Sequence, residues 1–482
     1  MAKTIKVLFL AAEAAPFVKI GGLGDVAGAL PAALRALSET ETNGVKLDVR
    51  LALPLHMVIR TESATLRPVV SFNVKRSDKE ISTQVFETRS GDLPVYFVAG
   101  EPITTSGSVY SANPALDGEK YTFFSLAALE MTKHLDWQPD IVHANDWHTA
   151  LAAYILQLKN WDGEMRGTKS LLTVHNLPYH GADVTGRLAA YGLTLTQTDL
   201  PVWARALPLP LGLWSAGKTV AVSPSYAKEM LTKEFGAGLE SYLASRKETL
   251  TGIINGIDTE YFDPAKDEGI STNFTAETIS ERAWNKTALQ KTLGLEVKAS
   301  VPLFALISRM DVQKGIDLAI DTLSKMKGDN WQAVILGTGD PTLEKRAKRL
   351  EERFPDQVKV EIRYDGRLAR KIYAGSDIFL MPSRYEPCGL SQMIAMRYGC
   401  LPVVRATGGL KDTVKDGETG FVFAGDKPKD FLKAINAALE IYANPKHWQS
   451  LQRNAMAEDF SWKKSALEYT ALYRSLLLHE GF

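Results

Sequence analysis

The sequence has few cysteines, no net charge and no long hydrophobic run. Its only cysteines, Cys388 and Cys400, are too few for a disulfide framework or a cysteine zinc site, which suits a reducing compartment. Lysine plus arginine (56) balances aspartate plus glutamate (56), so no overall field attracts nucleic acid or an anionic membrane. No apolar run reaches the roughly 18 residues of a membrane helix, and no basic leader precedes the strand-like sequence at Ile5. We therefore expect a cytoplasmic protein without a membrane or nucleic-acid partner.

The 482 residues exceed a single hydrophobic core and predict two or three domains. Short apolar runs alternate with helical patterns, which is typical of parallel sheets with helices on both faces. The runs lie at 7–12, 49–53, 141–143, 170–174 and 219–223, and again at 303–307, 333–336, 358–362, 378–381 and 401–404. A polar, helical stretch without a strand signal separates the two series at 263–300. The sequence thus predicts an α/β protein with two Rossmann-like halves and a boundary near 256–264.

A glycine-rich turn, 22–27, follows the first run and fits the dinucleotide pattern G-x-G-x-x-A. In that pattern the glycines come directly after the strand and an acid lies near the end of the second strand. Here residues 13–20 intervene and Asp48 precedes the second apolar run, which weakens the NAD interpretation. Gly21 and Gly22 instead stand at a helix start, where bare amides and Lys19 suit a phosphate. A purely structural turn explains the same glycines equally well.

Three loops of the second half carry polar groups at the carboxyl ends of predicted strands, where open α/β folds bind ligands. Arg309 and Lys314 follow the first strand and could clamp a pyrophosphate, although solvated surface charges are the alternative. Glu386 follows 378–381 and precedes a helix predicted from about Gly389, and 407–410 form a third glycine turn into a helix. Three such features at one edge favour an anionic ligand.

Five stretches together resemble the glycogen and starch synthases, retaining glycosyltransferases of family five. The stretches are Lys19-Ile20-Gly21-Gly22-Leu23, Thr173-Val174-His175-Asn176-Leu177, Asn255-Gly256-Ile257-Asp258, Ser308-Arg309 with Gln313-Lys314-Gly315, and Glu386-Pro387-Cys388-Gly389-Leu390. The resemblance runs from the first strand to 459–462, before the last helix. It implies the GT-B fold, with two Rossmann-like domains that face a central cleft. We expect an acceptor domain at 1–258, completed by a helix at about 462–482, and a donor domain at 259–461.

The resemblance implies transfer of glucose from ADP-glucose to the non-reducing end of an α-1,4-glucan, with retention at the anomeric carbon. UDP-glucose or another acceptor is the alternative within the same fold. No metal or other cofactor is expected, and the sequence has no DxD-like metal signature. Cations and helix amides would neutralise the leaving diphosphate instead.

The resemblance assigns the donor to the second half of the chain. Arg309 and Lys314 would hold the diphosphate, Glu386 would support the donor glucose, and Tyr364 would stack on the nucleobase. The amides of 389–391 would serve the glucose and the phosphate. The further substrate-binding positions are Gln313, Cys388, Gly389, Leu390, Ser391, Thr407 and Gly408.

The first half would supply the remaining groups. Lys19 with the Gly21 and Gly22 amides would approach the diphosphate, and His175 would act beside the transferring sugar. Asp25, Asp146 and Asn255 would line the glucose or acceptor side. Taken singly, His175 is more often a structural histidine, Tyr364 a half-buried core aromatic and Asn255 a turn former.

One position differs from many GT-B enzymes, and several others depart from the pattern of the family itself. Ile394 stands where many GT-B enzymes have a second glutamate, so a front-face route fits better than a two-carboxylate double displacement. His56 and Asn145 replace a usual tyrosine and a common histidine. The segment 99–118 lacks the usual arginine-proline-glycine, and 207–216 lacks the usual phenylalanine and lysine, which affects the expected acceptor preference.

Three other functions remain to be separated from this one. An NAD-dependent oxidoreductase would bind NADH at 22–27, and a phosphorylase would carry a lysine-anchored pyridoxal phosphate. A catalytically silent glucan-binding protein could dispense with Lys19, Arg309, Lys314 and Glu386, all of which are present. The apolar Leu467, Leu472 and Leu476 predict that the last helix returns to the first domain.

Overall fold

The computed structural model describes residues 3–59, 65–158, 165, 167–328 and 330–478. The chain divides into two compact units. Unit 1 comprises Met1–Gly256 with Trp462–Phe482, and unit 2 comprises Ile257–Ser461. Each unit is built on its own sheet, as the two series of apolar runs predict.

The sheet of unit 1 has nine strands in the order β3-β4-β5-β2-β1-β6-β7-β8-β9. Their bounds are β1 Lys3–Leu10, β2 Val45–Pro54, β3 Arg67–Lys75, β4 Glu80–Ser90, β5 Leu93–Ala99, β6 Ile141–Asn145, β7 Lys169–Val174, β8 Lys218–Ala221 and β9 Leu250–Gly252. All pairings are parallel except those of β4, which runs antiparallel to both its neighbours. Strand order reverses between β1 and β6, the crevice position at which doubly wound sheets bind ligands.

Within the described residues of unit 1, eight helices precede the domain boundary. They are α1 Gly22–Ala36, α2 Glu101–Thr104, α3 Pro114–His134, α4 Asp146–Leu158, α5 Thr185–Ala190, α6 Pro208–Ser215, α7 Pro224–Glu229 and α8 Glu240–Ser245, with 3-10 turns at Val202–Ala204 and Lys247–Thr249. One face of α1 packs on the core, where Val26, Leu30 and Leu34 are buried despite Pro31 within the helix. This burial fixes the first turn of α1 near the end of β1.

Unit 2 contains a six-stranded, all-parallel sheet in the order β12-β11-β10-β13-β14-β15. The strands are β10 Leu303–Ile307, β11 Gln332–Gly337, β12 Val358–Ile362, β13 Ile378–Met381, β14 Leu401–Arg405 and β15 Phe421–Phe423. The helices are α9 Arg282–Thr292, α10 Ile316–Leu323, α11 Pro341–Arg353, α12 Gly366–Gly375, α13 Ser391–Arg397, α14 Gly408–Thr413, α15 Pro428–Tyr442 and α16 Pro445–Ala457, with a 3-10 turn at Ile279–Glu281. The predicted helix after Glu386 therefore begins at Ser391 rather than at about Gly389.

The last helix, α17 Trp462–Leu478, packs on unit 1. Of the three predicted leucines, Leu476 is buried in the core of unit 1, whereas Leu467 and Leu472 are only partly buried. Trp462, Tyr469 and Tyr473 are buried in the same core. Tyr473 lies 2.7 Å from Nδ1 of the buried His143, whose Nε2 lies 2.8 Å from Thr173 Oγ1. Polar contacts inside the core thus attach this helix to β6 and β7. No helix in the described parts of the chain is long and apolar enough to cross a bilayer.

Candidate active-site residues of the two units

The loop after β1 folds around a carboxylate. Glu13 is buried, and it accepts hydrogen bonds from the main-chain N–H groups of Ile20 and Gly21 and from the Tyr110 hydroxyl at 2.9 Å. Burial raises the pKa of Glu13, and the same hydrogen bonds oppose that rise. The Gly21 amide, which the family resemblance assigns to the diphosphate, is therefore directed at Glu13 in this structure.

Lys19 and Asp25 form an ion pair at the start of α1, with Nζ 2.7 Å from Oδ1. Their side chains are 42% and 36% exposed, and such solvated pairs contribute little stability. Gly22, the first residue of α1, is also exposed. The helix start consequently offers a cation that can exchange Asp25 for an anionic ligand at small cost.

The ends of β6 and β7 meet through Asp146 and His175. Asp146 is buried in the left-handed region with φ +54°, and its Oδ1 accepts the main-chain N–H groups of His175 at 2.7 Å and Asn176 at 3.2 Å. Burial raises the pKa of Asp146. A carboxylate that holds two amides in this way fixes the backbone of the candidate catalytic histidine.

The His175 ring, which follows β7, is held by a side chain at the end of β6. Its Nε2 lies 2.9 Å from Oδ1 of the buried Asn145, whose Nδ2 donates to the Leu10 carbonyl at 3.0 Å. Burial lowers the pKa of His175, which favours the neutral ring. Asn145 stands where a histidine is common in the family. Its side chain contacts the candidate catalytic His175 directly.

Asn255, after β9, forms no side-chain hydrogen bond with another unit 1 candidate among the described residues. Its side chain is buried, and Oδ1 has no hydrogen-bond partner among the described residues. Glu13 and Tyr110, by contrast, form hydrogen bonds that hold the loop containing Lys19, although neither was predicted from the sequence as a site residue. The available signal was the position of Glu13, between the end of β1 and the glycine turn.

In unit 2, Lys314 and Glu386 form a close ion pair, with Nζ 2.7 and 2.9 Å from the two carboxylate oxygens. Their side chains are 20% and 6% exposed, and Ser383 Oγ donates a further hydrogen bond of 3.0 Å to Glu386. Lys314 follows β10 and Glu386 follows β13, so neighbouring strands bring the two groups together. Lys314 is thus a largely buried, paired cation rather than a solvated surface lysine.

Arg309 remains at the surface of the same loop. Its side chain is 67% exposed and lies 3.2 Å from Asp311, whose Oδ1 accepts the Lys314 main-chain N–H at 2.8 Å. Gln313 donates from Nε2 to the Tyr385 carbonyl at 3.1 Å. The loop after β10 is therefore fastened to the loop after β13, while the guanidinium is open to a ligand.

Two glycines permit the loops after β10, β13 and β14 to approach one another closely. Gly315 has φ +69°, and a Cβ there would lie 2.2 Å from the Pro382 carbonyl oxygen. Gly408 has φ +42°, and its Cβ would lie 2.0 Å from the carbonyl oxygen of Glu386. Any side chain at these positions would separate the three loops.

The other donor-side candidates lie in the loops that follow β12, β13 and β14. Cys388 is buried, Gly389 has φ +73°, and Leu390 precedes Ser391 at the start of α13. Thr407 is buried, and its Oγ1 has no hydrogen-bond partner in the part of the chain that the structure describes. Tyr364 follows β12 and is 84% exposed, which differs from the half-buried core aromatic considered above.

Known proteins resemble this chain along its whole length. The family model for the starch synthase catalytic domain matches residues 6–245, and that for glycosyl transferases group 1 matches 295–456. A glycogen synthase from Thermotoga petrophila is 40% identical over 99% of this chain and 100% of its own length. One from Clostridium perfringens is 39% identical over 98% and 99%. This chain belongs to the glycogen and starch synthase family.

Solved structures agree with that membership. The catalytic domain of starch synthase IV from Arabidopsis thaliana, bound to ADP and acarbose, has a TM-score of 0.89 and 32% identity over 99% of this chain and 100% of its own. A sucrose-phosphate synthase from Thermosynechococcus elongatus shares the fold, with a TM-score of 0.64 and 18% identity over 98% and 99%. The chain is a glycosyltransferase with the GT-B fold, and the predictions of family, fold class and enzyme class are confirmed.

Proposed function

We propose that this enzyme transfers glucose from ADP-glucose to the non-reducing end of an α-1,4-glucan, with retention of the anomeric configuration. The observation that carries the proposal is the Lys314–Glu386 pair beside the open Arg309 at the carboxyl ends of β10 and β13. Family membership and the starch synthase IV described as bound to ADP and acarbose support the choice of donor. We assign the acceptor to 1–258 with 462–482, the donor to 259–461, and the location to the cytoplasm.

The cations of unit 2 stabilise the leaving group in this proposal. As the bond between glucose C1 and the diphosphate oxygen breaks, its electron pair stays on ADP, and Lys314 and Arg309 neutralise the added charge. Lys314 is a point charge on a flexible stem, whereas Arg309 can hold two oxygens at once. Because only the paired Lys314 is largely buried, we expect its contribution to exceed that of Arg309.

Glu386 supports the donor glucose. It is the carboxylate adjacent to Lys314, and Ile394 leaves no second carboxylate at the position that many GT-B enzymes use. A front-face route follows: the acceptor hydroxyl oxygen bonds to C1 on the face that ADP leaves, and its proton passes to the departing phosphate oxygen. Glu386 stabilises the positive charge on the oxocarbenium-like sugar while the bond to ADP is breaking and before the new bond to C1 is complete.

The remaining candidates position the substrates. Tyr364 stacks on the adenine, and its 84% exposure means that no packing is lost when the base binds. Neutral His175, held by Asp146 and Asn145, lies beside the transferring sugar, and Asn255 serves the sugar or acceptor side. Lys19 and Gly22 bind the diphosphate, whereas Gly21 acts through Glu13.

A radiolabel assay with glycogen as acceptor tests the proposal. ADP-glucose and UDP-glucose are offered separately, and proton NMR of the first product identifies the new α-linkage. We expect incorporation from ADP-glucose to exceed that from UDP-glucose by at least about tenfold, because discrimination by a site that binds one nucleobase is worth a kcal/mol or more. Preferred use of UDP-glucose would replace the donor assignment, and binding of glucan without transfer would identify a catalytically silent glucan-binding protein.

A further inference from the structure

The orientation of the Asn145 side chain is determined by its surroundings. The residue is fully buried, and its Nδ2 faces the Leu10 carbonyl oxygen, which can only accept a hydrogen bond. Thr149 Oγ1 accepts the Asn145 main-chain N–H at 2.6 Å and donates to its carbonyl at 2.9 Å, which holds the backbone in place. Rotating the amide would direct a carbonyl at a carbonyl, so Oδ1 is the atom that faces His175.

This orientation determines where His175 carries its proton. Oδ1 of an amide has no hydrogen, so the Nε2 that lies 2.9 Å away must donate. In the neutral ring, Nδ1 is then unprotonated and available as an acceptor. Asn145 is the one side chain hydrogen-bonded to the ring within the described residues.

We propose that Asn145 is a positioning residue that fixes His175 in the tautomer protonated on Nε2 and presents Nδ1 as an acceptor for a hydroxyl of the transferring sugar. The tautomer follows from geometry alone, whereas the sugar contact rests on the proposed function. The histidine common at this position in the family could either donate or accept, so this chain's amide selects a tautomer that an imidazole would leave free.

The charged and titratable groups around His175 also bear on its protonation. The Asp146 carboxylate, at the start of α4, favours the imidazolium of His175. His143 on β6 and His148 on α4 also have lowered pKa values, because both rings are buried, and they are therefore neutral neighbours. Burial outweighs the carboxylate and lowers the pKa of His175. The neutral ring is therefore the form that Asn145 orients.

Nitrogen NMR of histidine-labelled enzyme, without substrate, tests the tautomer directly. His175→Gln identifies the His175 signals by their loss. We expect wild-type Nδ1 to show the shift of an unprotonated nitrogen and Nε2 that of a protonated one, and Asn145→Leu to average the two. Thr173→Val is the matched control, because it removes a buried hydroxyl from the neighbouring strand and contacts His143 rather than His175. A proton on Nδ1 in wild type, or unchanged shifts in Asn145→Leu, would overturn the proposal.

Kinetics then test the link to the sugar. We expect Asn145→Leu to lower kcat about tenfold with KM for ADP-glucose within about threefold, because the ring acts on the reacting sugar rather than on the nucleotide. Asn145→Asp places a carboxylate on Nε2–H, raises the pKa of His175, and should move the acidic limb of the kcat profile upward by about one pH unit. Altered ring shifts with unchanged kcat and an unchanged profile would refute the positioning role. Failure of the wild type to transfer glucose would instead refute the proposed function.

Discussion

The two units hold their candidate side chains by opposite means. In unit 1, hydrogen bonds fix Asp146, Asn145 and His175, and burial raises the pKa of Asp146 and lowers that of His175. In unit 2, Lys314 and Glu386 neutralise each other, and the nearby Arg309 faces solvent.

This difference separates the tasks that each unit can perform. Buried groups that are already hydrogen-bonded to one another are held in fixed positions. They can therefore orient the hydroxyl groups of a neutral sugar. Charged groups near solvent can bind an anion, because the anion takes the place of water or of an existing counter-charge. No isolated charge has to be buried in this exchange, so the desolvation cost stays small. The comparison makes specific predictions for each unit.

The largest effect is expected from Lys314→Ala in unit 2. Removal of the ammonium should slow turnover by about a hundredfold or more, because a preorganised cation at the leaving diphosphate is lost. It should also lower the unfolding free energy by about 2 kcal/mol, since the buried Glu386 loses its partner while some solvent contact remains. Steady-state kinetics and urea unfolding measure both effects.

Lys429→Ala is the matched control for that variant, because Lys429 is exposed on α15. Its effect on stability should stay within about 0.5 kcal/mol. Added ammonium ions should restore part of the Lys314→Ala rate and less of the Arg309→Ala rate, because a single cation cannot replace the guanidinium fork. Near-normal turnover of folded Lys314→Ala would exclude the cationic role.

A second effect concerns Glu386→Gln, which keeps the size of the side chain and removes its charge. We expect kcat to fall at least about tenfold while the Kd for ADP stays within about threefold, because the carboxylate acts on the sugar rather than on the nucleotide. Asp321→Asn, which removes an exposed charge paired with Arg346, is the control. Equal losses of turnover and ADP affinity would assign Glu386 to binding alone.

Acid should destabilise unit 1 at a higher pH than unit 2. Burial lowers the pKa of His56 from 6.5 to about 4, so its stabilisation is complete above 6.5 and is lost as the pH falls through 4. The full loss is on the order of 3 kcal/mol, and burial acts in the same direction on His143, His148 and His175. In unit 2 the lowered pKa values belong to carboxyls such as Asp317, whose stabilisation is lost only below about pH 4.

Urea titrations at about pH 7 and about pH 5 can separate the units. Circular dichroism follows the whole chain, and labelling of the two buried cysteines with a disulfide reagent reports unit 2 alone, since both thiols lie there. We expect the first transition to move to lower urea at pH 5 without thiol labelling, and His56→Gln to reduce that shift. A shift accompanied by labelling would contradict the comparison.

The smallest effect is expected from Tyr364→Ala. Loss of base stacking should raise KM for ADP-glucose about tenfold, whereas stability should change by less than about 0.5 kcal/mol because the ring is 84% exposed. Tyr364→Phe should retain most of the affinity. Tyr261→Ala, at another exposed tyrosine of unit 2, should leave KM unchanged; equal effects of the two alanine variants would remove Tyr364 from the donor site.

Local sequence patterns determined much of this fold. The runs 303–307 and 378–381 coincide with β10 and β13, because a buried parallel strand is continuously apolar between turns. The run 358–362 coincides with β12, in which the buried Val358 and Val360 alternate with Lys359 and Glu361. The strands β3, β4, β5, β9 and β15 were not predicted. β3 and β4 contain exposed as well as buried residues, and β9 and β15 have three residues each. β5 is buried throughout, so its apolar run was a signal that the prediction missed. A short or half-exposed strand is recognised only when its partner is known.

The sequence by itself determined which chemistry is present: two cations and a carboxylate after strands of one sheet, and a histidine after a strand of the other. Only the tertiary structure decided how those groups are paired. Lys314 meets Glu386 across 72 residues, and the Gly21 amide is directed to Glu13 instead of remaining open. Asn145 contacts His175 across 30 residues, so the motif at 173–177 gives no sign of its effect on the ring. Sequence motifs identify side chains, but strand order and burial set their distances, charges and protonation.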